Sequence, residues 1–287
     1  MTDSATRRVS LPDLAAMKRR GERIVMVTTY DAPSARLAEA AGIDVLLVGD
    51  SAAMVVFGHD STLPVTLEEM LMLTRAVTRV SRRPLVVGDL PFGSYQVSDD
   101  EAVASAVRLV KEGGADVVKL EGIGRHLSRV RAIIDAGIPV MGHIGLTPQA
   151  ATMLGGFRAQ GRTAAAAREL YDTARALQSA GCFAIVLEAM PAAVAVAITR
   201  ALSIPTIGIG AGSGCDGQVL VWHDLLGLSE PPHPRFVKTY AALGAEIGRA
   251  LDAFVSDVRR GTYPGDEHTY EMAPEELARF EMAVARP

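Results

Sequence analysis

Val117-Val118-Lys119-Leu120-Glu121 is a short apolar stretch that carries two charged residues at its downstream end. Side chains two apart on a strand project to the same side, so Lys119 and Glu121 are predicted to share one face. Burying such groups is costly unless they are paired or used chemically. A strand-end salt bridge would also satisfy this stretch, which by itself leaves a structural and a functional role open.

The same pattern recurs elsewhere along the chain. Apolar runs that end in a carboxylate are Leu47-Val48-Gly49-Asp50, Val86-Val87-Gly88-Asp89 and Ile185-Val186-Leu187-Glu188. Runs of Val, Ile and Leu without polar alternation are typical of parallel strands that are covered on both faces. Because the carboxyl ends of parallel strands lie at one end of the sheet, these acids are predicted to share one site.

Strand-like and helix-like segments alternate along most of the chain. The predicted strands are residues 24–28, 45–49, 85–88, 117–120, 139–142, 184–187, 206–209 and 219–222. Such a series, with a helix after each strand, predicts an α/β fold of the (β/α)8 TIM barrel type, which spans about 250 residues as one domain. An open, doubly wound sheet is the alternative, because the number of strands does not prove closure. The glycine-rich residues 208–214 fail the dinucleotide-binding spacing and are interpreted as a tight turn at the barrel rim.

The domain organisation is predicted as one catalytic domain with terminal additions. Residues 1–9 are interpreted as a flexible tail, 10–270 as the single barrel domain, and 271–287 as a C-terminal extension with helical character. A long helix is predicted at 235–258. The insertion at 51–65 is a candidate lid over the barrel mouth.

Composition excludes several classes of function. The hydrophobic fraction of 49% is enough for a large core, and 29 basic against 33 acidic residues leave no basic stripe for nucleic acid. No apolar run reaches the ~20 residues of a membrane span. Residues 1–8 lack the apolar segment of a signal peptide, and Cys182 and Cys215 lack a paired spacing. We therefore expect a cytoplasmic protein that binds neither membrane nor nucleic acid.

The strand-end acids predict a metal site. Carboxylates in one cavity repel one another, and a divalent cation relieves that repulsion; oxygen ligands favour Mg²⁺ over Zn²⁺. Asp50 and Asp89 are the predicted direct ligands, because a glycine precedes each and lets the backbone approach closely. Glu121 would bind the ion directly or through water.

Three further side chains are candidates for binding and catalysis. Lys119 suits the role of a cation for a substrate carboxylate or a developing oxyanion; a Schiff-base lysine is the alternative, although acidic neighbours favour the ammonium form. Glu188 follows a strongly apolar strand and suits a general base for a carbon acid, but a structural carboxylate is equally compatible. His143 is a candidate substrate-binding or lid-holding residue, with a hydrogen-bonded interior histidine as the alternative.

These residues lie within motifs through which the chain resembles the ketopantoate hydroxymethyltransferase (3-methyl-2-oxobutanoate hydroxymethyltransferase) family. The motifs follow in the family's order over roughly residues 10–270. They are Thr28-Thr29-Tyr30-Asp31, Leu47-Val48-Gly49-Asp50-Ser51, Gly58-His59-Asp60-Ser61-Thr62-Leu63-Pro64-Val65-Thr66, Asp89-Leu90-Pro91-Phe92, Val118-Lys119-Leu120-Glu121-Gly122, Gly142-His143-Ile144-Gly145-Leu146-Thr147-Pro148-Gln149, Gly155-Gly156-Phe157, Gln160-Gly161-Arg162, Ile207-Gly208-Ile209-Gly210-Ala211-Gly212 and Tyr263-Pro264-Gly265-Asp266-Glu267-His268.

The resemblance implies a (β/α)8 barrel of the phosphoenolpyruvate/pyruvate superfamily type with one Mg²⁺ per subunit. It implies transfer of a hydroxymethyl group from 5,10-methylenetetrahydrofolate to 3-methyl-2-oxobutanoate, through a Mg-stabilised enolate, to give 2-dehydropantoate for pantothenate and coenzyme A biosynthesis. It also implies a large homo-oligomer, commonly a decamer.

The same resemblance assigns roles to individual residues. It implies metal ligation by Asp50, Asp89 and Glu121, contact of the 2-oxo acid with Asp50, Ser51, Asp89 and Lys119, and a proton-acceptor role for Glu188. Ala52-Ala53 departs from the Leu-Gly of many members, and residues beyond Tyr270 run past the usual family end.

Two other functions stay open at this point. One is a Mg-dependent C–C lyase or mutase acting on another 2-oxo acid; the Lys119 and Glu121 pair, and the lack of a Lys-Lys-Cys-Gly-His loop, favour the transferase. The other is a catalytically silent barrel that binds a ligand or serves as a scaffold. The presence of every motif acid argues against that second function.

Overall fold

The computed structural model of the protein describes residues 7–121, 126–231 and 233–285. Eight parallel strands form a closed barrel in chain order, with β8 paired to β1. The predicted barrel is therefore confirmed, and the open sheet was the wrong alternative. Residues 1–6 of the predicted tail, Gly122 of the motif after Glu121, and residues 286–287 of the predicted extension lie outside the described residues.

The strands and helices alternate around the barrel. The strands are β1 Ile24–Thr28, β2 Val45–Val48, β3 Leu85–Asp89, β4 Val117–Glu121, β5 Val140–Gly145, β6 Ala184–Glu188, β7 Thr206–Ile209 and β8 Gly217–Leu220. The helices are α1 Leu11–Arg20, α2 Ala32–Ala40, α3 Ala52–Val55, α4 Leu67–Thr78, α5 Asp99–Lys111, α6 Leu127–Asp135, α7 Ala164–Ala180, α8 Ala192–Ala201, α9 Trp222–Leu226, α10 Leu243–Arg260 and α11 Pro274–Val284, with 3₁₀ helices at Pro148–Ala150 and Asp266–His268.

The chain divides into two compact units, Met1–Tyr240 and Ala241–Pro287. The first contains the barrel with α1 to α9, and the second contains α10, α11 and the second 3₁₀ helix. The domain bounds expected from the sequence stay a prediction. Within the described ranges, no helix is long and apolar enough to cross a bilayer.

Two predicted elements have different bounds in the structure. The strand predicted at 219–222 is β8, Gly217–Leu220, because Trp222 instead begins α9 and donates its backbone N–H to the Thr28 hydroxyl at 2.9 Å. The helix predicted at 235–258 is α10, which begins only at Leu243. Before it, the Tyr240 N–H donates to the carbonyl of Leu225 at the end of α9, instead of to a carbonyl one helical turn earlier.

Side chains alternate along each strand between the barrel interior and the face covered by helices. On β4, Val117 belongs to the apolar cluster that fills the barrel, whereas Val118 and Leu120 belong to the cluster beneath the helices. The same alternation directs Lys119 and Glu121 into the barrel. Of the three β4 side chains that face the interior, only Val117 is apolar, and Lys119 and Glu121 make the carboxyl end charged.

Aspartates link neighbouring strands at the opposite, amino-terminal end of the barrel. Asp44, Asp116 and Asp216 each immediately precede an even-numbered strand and accept a backbone N–H from the strand before it: Val25 at 3.0 Å, Val86 at 2.8 Å and Thr206 at 2.8 Å, respectively. Each is also paired with a basic side chain: Arg83, Arg8 and Lys18. These links join neighbouring strands at the end of a TIM barrel that typically supports stability.

We predict that Asp216→Ala destabilises the barrel. The variant removes the acceptor for the Thr206 N–H and the partner of Lys18, whose Nζ lies 2.7 Å from the Asp216 carboxylate. A loss of about 2 kcal/mol is expected, since polar groups that are mostly shielded from water lose their partner. For a domain of this size, that corresponds to a fall in Tm of about 4 to 8 °C.

Thermal unfolding followed by circular dichroism measures this effect. Asp172→Ala is the matched control, because Asp172 forms an exposed pair with Arg168 on α7, at 2.7 Å. We expect no resolvable change in that control. An equal Tm in both variants would show that the amino-terminal aspartates do not stabilise the barrel.

Candidate active site

Charged side chains form a connected row across the barrel interior at the carboxyl ends of the strands. Asp89, at the end of β3, accepts hydrogen bonds from Lys119 Nζ at 2.8 and 2.7 Å and from the backbone N–H of Asp50 at 3.2 Å. Lys119 Nζ also lies 3.6 Å from Glu121 Oε1. All four side chains are buried, so their charges are compensated by one another and not by water.

His143 extends this row from β4 to β6. Its Nδ1 lies 3.1 Å from Glu121 Oε1, and its Nε2 lies 3.1 Å from Glu188 Oε2. The Glu188 side chain is 14% exposed, compared with 2% for Glu121. The imidazole therefore separates a fully buried carboxylate from one that is open to an incoming molecule.

The charges of these groups depend on one another. Burial, together with repulsion from Asp89 and Glu121, raises the pKa of Asp50 well above its usual value. Burial also raises the pKa of Asp89, against the opposing attraction of Lys119.

The two cationic groups are stabilised by the acids around them. Burial disfavours the ammonium of Lys119, but attraction to Asp89 and Glu121 is stronger and raises its pKa. Burial likewise disfavours the charged form of His143, yet Glu121 raises its pKa to about 9. A lysine held as an ammonium is a poor amine nucleophile, which argues against the Schiff-base alternative.

The backbone around Glu188 is closely constrained. Gly145, at the end of β5, has φ of +99°, and a Cβ there would lie 2.1 Å from the carbonyl oxygen of Glu188, so only glycine fits. Ala189 has φ of 45°, a left-handed conformation that is unfavourable for alanine. Its N–H donates to Ile209 O and its carbonyl accepts from Gln160 N, both at 2.8 Å. These contacts hold the direction in which the Glu188 side chain leaves the barrel wall.

Ser51 directly follows Asp50 at the start of α3. Its Oγ lies 2.9 Å from the hydroxyl of Tyr30, a buried residue that follows β1. The Tyr30 ring contacts the imidazole of His223, with ring centroids 5.5 Å apart. His59, in the candidate lid, is exposed at the surface. The predicted site residues at the strand ends thus come together, with Ser51 next to Asp50.

Two residues of this site were given no role by the sequence interpretation. Gln149, in the 3₁₀ helix after β5, donates its side-chain N–H to Asp50 Oδ2 at 2.9 Å and its backbone N–H to Glu121 Oε2 at 3.0 Å. Tyr95, in the loop after β3, contacts Gln149 Oε1 at 2.5 Å. Gln149 lies in a family motif, but its uncharged amide did not fit the pattern of charged residues at strand ends. Tyr95 carried no signal that separates it from a core aromatic residue.

The donor set suits a hard cation. Asp50, Asp89 and Glu121 offer carboxylate oxygens. Burial, together with repulsion from Glu121, raises the pKa of both aspartates, and a bound cation would stabilise their charged forms. Within the described parts of the chain, no three His, Cys, Asp or Glu side chains are grouped so as to hold a metal alone. Mg²⁺ typically takes one or two carboxylates and keeps several waters, so these residues fit it as partial ligands.

The chain is similar to known proteins over nearly its whole length. A family model described as ketopantoate hydroxymethyltransferase matches residues 8–266. The chain is 57% identical over 267 residues to the 3-methyl-2-oxobutanoate hydroxymethyltransferase of Thermobifida fusca, which covers 93% of this chain and 95% of that relative. It is 53% identical over 284 residues to the enzyme of the same name from Oleidesulfovibrio alaskensis, covering 99% of this chain and 98% of the relative.

Solved structures share the architecture at low sequence identity. A 2,3-dimethylmalate lyase, described as a PEP mutase/isocitrate lyase superfamily member, aligns with a TM-score of 0.57 and 19% identity, covering 99% of both chains. A phosphonopyruvate hydrolase aligns with a TM-score of 0.58 and 14% identity, covering 96% of this chain and 98% of that one. At these identities the likeness shows the fold alone.

We predict that Lys119→Met destabilises the protein in a pH-dependent manner. Removing the ammonium leaves Asp89 buried without its partner, which costs about 3 to 5 kcal/mol near neutral pH. The pKa of Asp89 would then lie further above its value in the unfolded chain, so the folded state binds the additional proton. Stability is lost as pH rises through that interval, and the Tm deficit relative to wild type should be larger at about pH 8 than at about pH 5.

Differential scanning calorimetry across this pH range measures the deficit. Lys111→Met is the matched control, because Lys111 lies exposed at the end of α5. Its Tm difference from wild type should stay small at every pH. A deficit for Lys119→Met that does not change with pH would contradict the role of this lysine in compensating Asp89.

Proposed function

The chain belongs to the ketopantoate hydroxymethyltransferase family, and we propose that it transfers a hydroxymethyl group from 5,10-methylenetetrahydrofolate to 3-methyl-2-oxobutanoate. The product would be 2-dehydropantoate, the precursor that pantothenate and coenzyme A biosynthesis requires. The observation that carries the proposal is the row from Asp50 to Glu188, in which paired acids and a fixed ammonium lie beside a carboxylate that is open to substrate.

Asp50, Asp89 and Glu121 would hold the Mg²⁺ ion, one per subunit. When bound, Mg²⁺ supplies a Lewis acid that polarises the 2-oxo group and acidifies the adjacent C–H bond. Lys119 would bind the substrate carboxylate or the oxygen on which negative charge develops, because its ammonium stays fixed among carboxylates. Ser51 would contribute a hydroxyl to the same end of the 2-oxo acid.

Glu188 would remove the proton from C3 of 3-methyl-2-oxobutanoate. Its carboxylate is the most accessible acid of the row, and its backbone is held by Gly145 and Ala189. His143 Nε2, 3.1 Å from Glu188 Oε2, would orient the carboxylate and contact the substrate. The carbon nucleophile would then bond to the methylene carbon supplied by the folate, with water providing the hydroxyl oxygen and tetrahydrofolate leaving.

A C–C lyase or mutase on another 2-oxo acid is supported less well. The 2,3-dimethylmalate lyase shares the fold at 19% identity, whereas the hydroxymethyltransferase of Thermobifida fusca shares more than half of the aligned residues. A catalytically silent barrel would not need to bury so many charged groups, since apolar side chains there are generally less costly.

We predict that Glu188→Gln abolishes exchange of the C3 proton of 3-methyl-2-oxobutanoate with D₂O. Loss of a general base typically lowers the rate by about 10²- to 10⁴-fold. Proton NMR in the presence of Mg²⁺, before folate is added, measures the exchange. Binding of the oxo acid, measured by calorimetry, should be retained because glutamine preserves the size of the side chain.

Glu169→Gln is the matched control, since Glu169 lies exposed on α7. Its exchange rate should equal that of wild type. If Glu188→Gln exchanged the proton at the wild-type rate, the base would have to be another residue. If wild type formed no product from both substrates, the transferase assignment would be wrong.

We further propose that the chain assembles as a homo-oligomer. Helix α10 exposes an apolar stripe at helical spacing: Ile247, Leu251, Phe254, Val255 and Val258, each 41 to 58% exposed. Contiguous apolar surface of this kind marks interaction sites. A second copy of the chain is the partner that the stripe supports, because the family resemblance implies self-assembly.

We predict that Leu251→Asp reduces the size of the assembly, because a charge in a buried apolar contact is costly. Light scattering coupled to size exclusion measures the molar mass. Ser256→Asp is the control: it introduces the same charge on the opposite side of α10. A wild-type mass for Leu251→Asp would exclude the stripe as an interface between copies.

A further inference from the structure

Gln149 connects three neighbouring strand ends of the site. Its side-chain Nε2 donates to Asp50 Oδ2 at 2.9 Å and to the backbone carbonyl of Leu90 at 3.0 Å, and its backbone N–H donates to Glu121 Oε2 at 3.0 Å. Asp50 follows β2, Leu90 follows β3, and Glu121 ends β4. A residue of the loop after β5 therefore reaches the ends of β2, β3 and β4, and this residue is only 7% exposed.

The orientation of the Gln149 amide is determined by its partners. An amide side chain has two N–H donors and a carbonyl that accepts twice. Both donors are used by Asp50 and Leu90, and the carbonyl faces the Tyr95 hydroxyl at 2.5 Å and Gln96 Nε2 at 3.4 Å. A flipped amide would direct its carbonyl oxygen at a carboxylate and a carbonyl, which only accept hydrogen bonds. The side chain is thus held in one arrangement.

Tyr95 holds the Gln149 amide in that orientation through its hydroxyl group. Tyr95 is 1% exposed, and its hydroxyl also accepts the backbone N–H of Glu121 at 3.3 Å. Burial raises the pKa of Tyr95, so the phenol keeps the proton that it donates to Gln149. The phenol therefore links the side-chain amide of Gln149 to the backbone of Glu121. Gln149 in turn donates its backbone N–H to the Glu121 carboxylate.

We propose that Gln149, with Tyr95 behind it, is a positioning residue that orients the carboxylates of Asp50 and Glu121 for a divalent cation. Asp50 and Glu121 each accept one hydrogen bond from Gln149, through Oδ2 and Oε2 respectively, and Glu121 Oε1 lies 3.1 Å from His143 Nδ1. Without this contact both side chains would have to be ordered when the cation binds, which lowers affinity. The inference rests on the proposed function, because it presumes that the acids bind a cation.

Manganese binding to the full-length, substrate-free protein tests this role without an activity assay. Free Mn²⁺, measured by electron paramagnetic resonance during titration, gives the affinity. Gln149→Leu should weaken binding by about 10- to 100-fold, the effect typical of losing a group that orients metal ligands. Tyr95→Phe should weaken it less, because the amide stays but loses the hydroxyl that orients it. The Mg²⁺ concentration for half-maximal C3 proton exchange should rise by the same factors.

Gln178→Leu is the matched control. Gln178, on α7, also accepts several hydrogen bonds, from Ser203 N at 2.7 Å and Ile204 N at 3.3 Å, but it lies outside the site. Its variant should bind Mn²⁺ as wild type does, so a general loss of packing cannot imitate the expected result.

The outcomes separate the two proposals. If wild type binds Mn²⁺ and both Gln149→Leu and Tyr95→Phe bind it equally well, the positioning role is overturned while the metal site stands. If wild type itself binds no Mn²⁺, the proposed metal site fails and the positioning role fails with it. If Gln149→Leu does not fold, Tyr95→Phe decides: unchanged affinity overturns the role, and a several-fold loss supports it.

Discussion

The enclosure of several ionisable groups in one small volume is the constraint that shapes this protein. Asp50, Asp89 and Glu121 are removed from water, and the charge that they carry is balanced by the ammonium of Lys119 and the imidazole of His143. Pairs of this kind contribute little to stability compared with apolar side chains of similar volume, because desolvation offsets much of the attraction. The rest of the barrel must therefore supply the stability that these buried charges do not.

Stabilising contacts lie in the rest of the barrel, towards its amino-terminal end. Below the charged layer the interior is apolar, and Asp44, Asp116 and Asp216 join adjacent strands through backbone amides and basic partners. Aspartate therefore has two roles in one fold. At the amino-terminal end its oxygens are satisfied by fixed neighbours, whereas at the carboxyl end burial and repulsion from Asp89 and Glu121 raise the pKa of Asp50. The direction of the parallel strands separates stability from activity.

Residues of the loops after the strands contact the acids at the strand ends. The strand ends bring the acids together, but Gln149 and Tyr95, which hold Asp50 and Glu121, come from the segments after β5 and β3. The left-handed Ala189 similarly lies between Glu188 and the next segment, and it is held by backbone hydrogen bonds from β7 and from the loop before α7. These residues hydrogen-bond to the buried acids or fix the backbone beside Glu188, so the geometry of the site depends on contacts among segments far apart in the chain.

Short apolar runs without polar alternation were sufficient to indicate the parallel strands and the acids at their carboxyl ends, because burial of a strand on both faces is reflected in its local composition. Family motifs added the expected role of Ser51 and agreed with the general-base role that the apolar strand already suggested for Glu188. The tertiary structure alone showed that the sheet closes, that Lys119 pairs more closely with Asp89 than with Glu121, and where Gln149 and Tyr95 lie.

The same holds for the start of α10 at Leu243, which follows from a contact of Tyr240 with α9. Lys119 lies 30 residues from Asp89, and Gln149 lies 99 residues from Asp50. Such contacts depend on the path of every intervening loop, and local propensities do not encode that path.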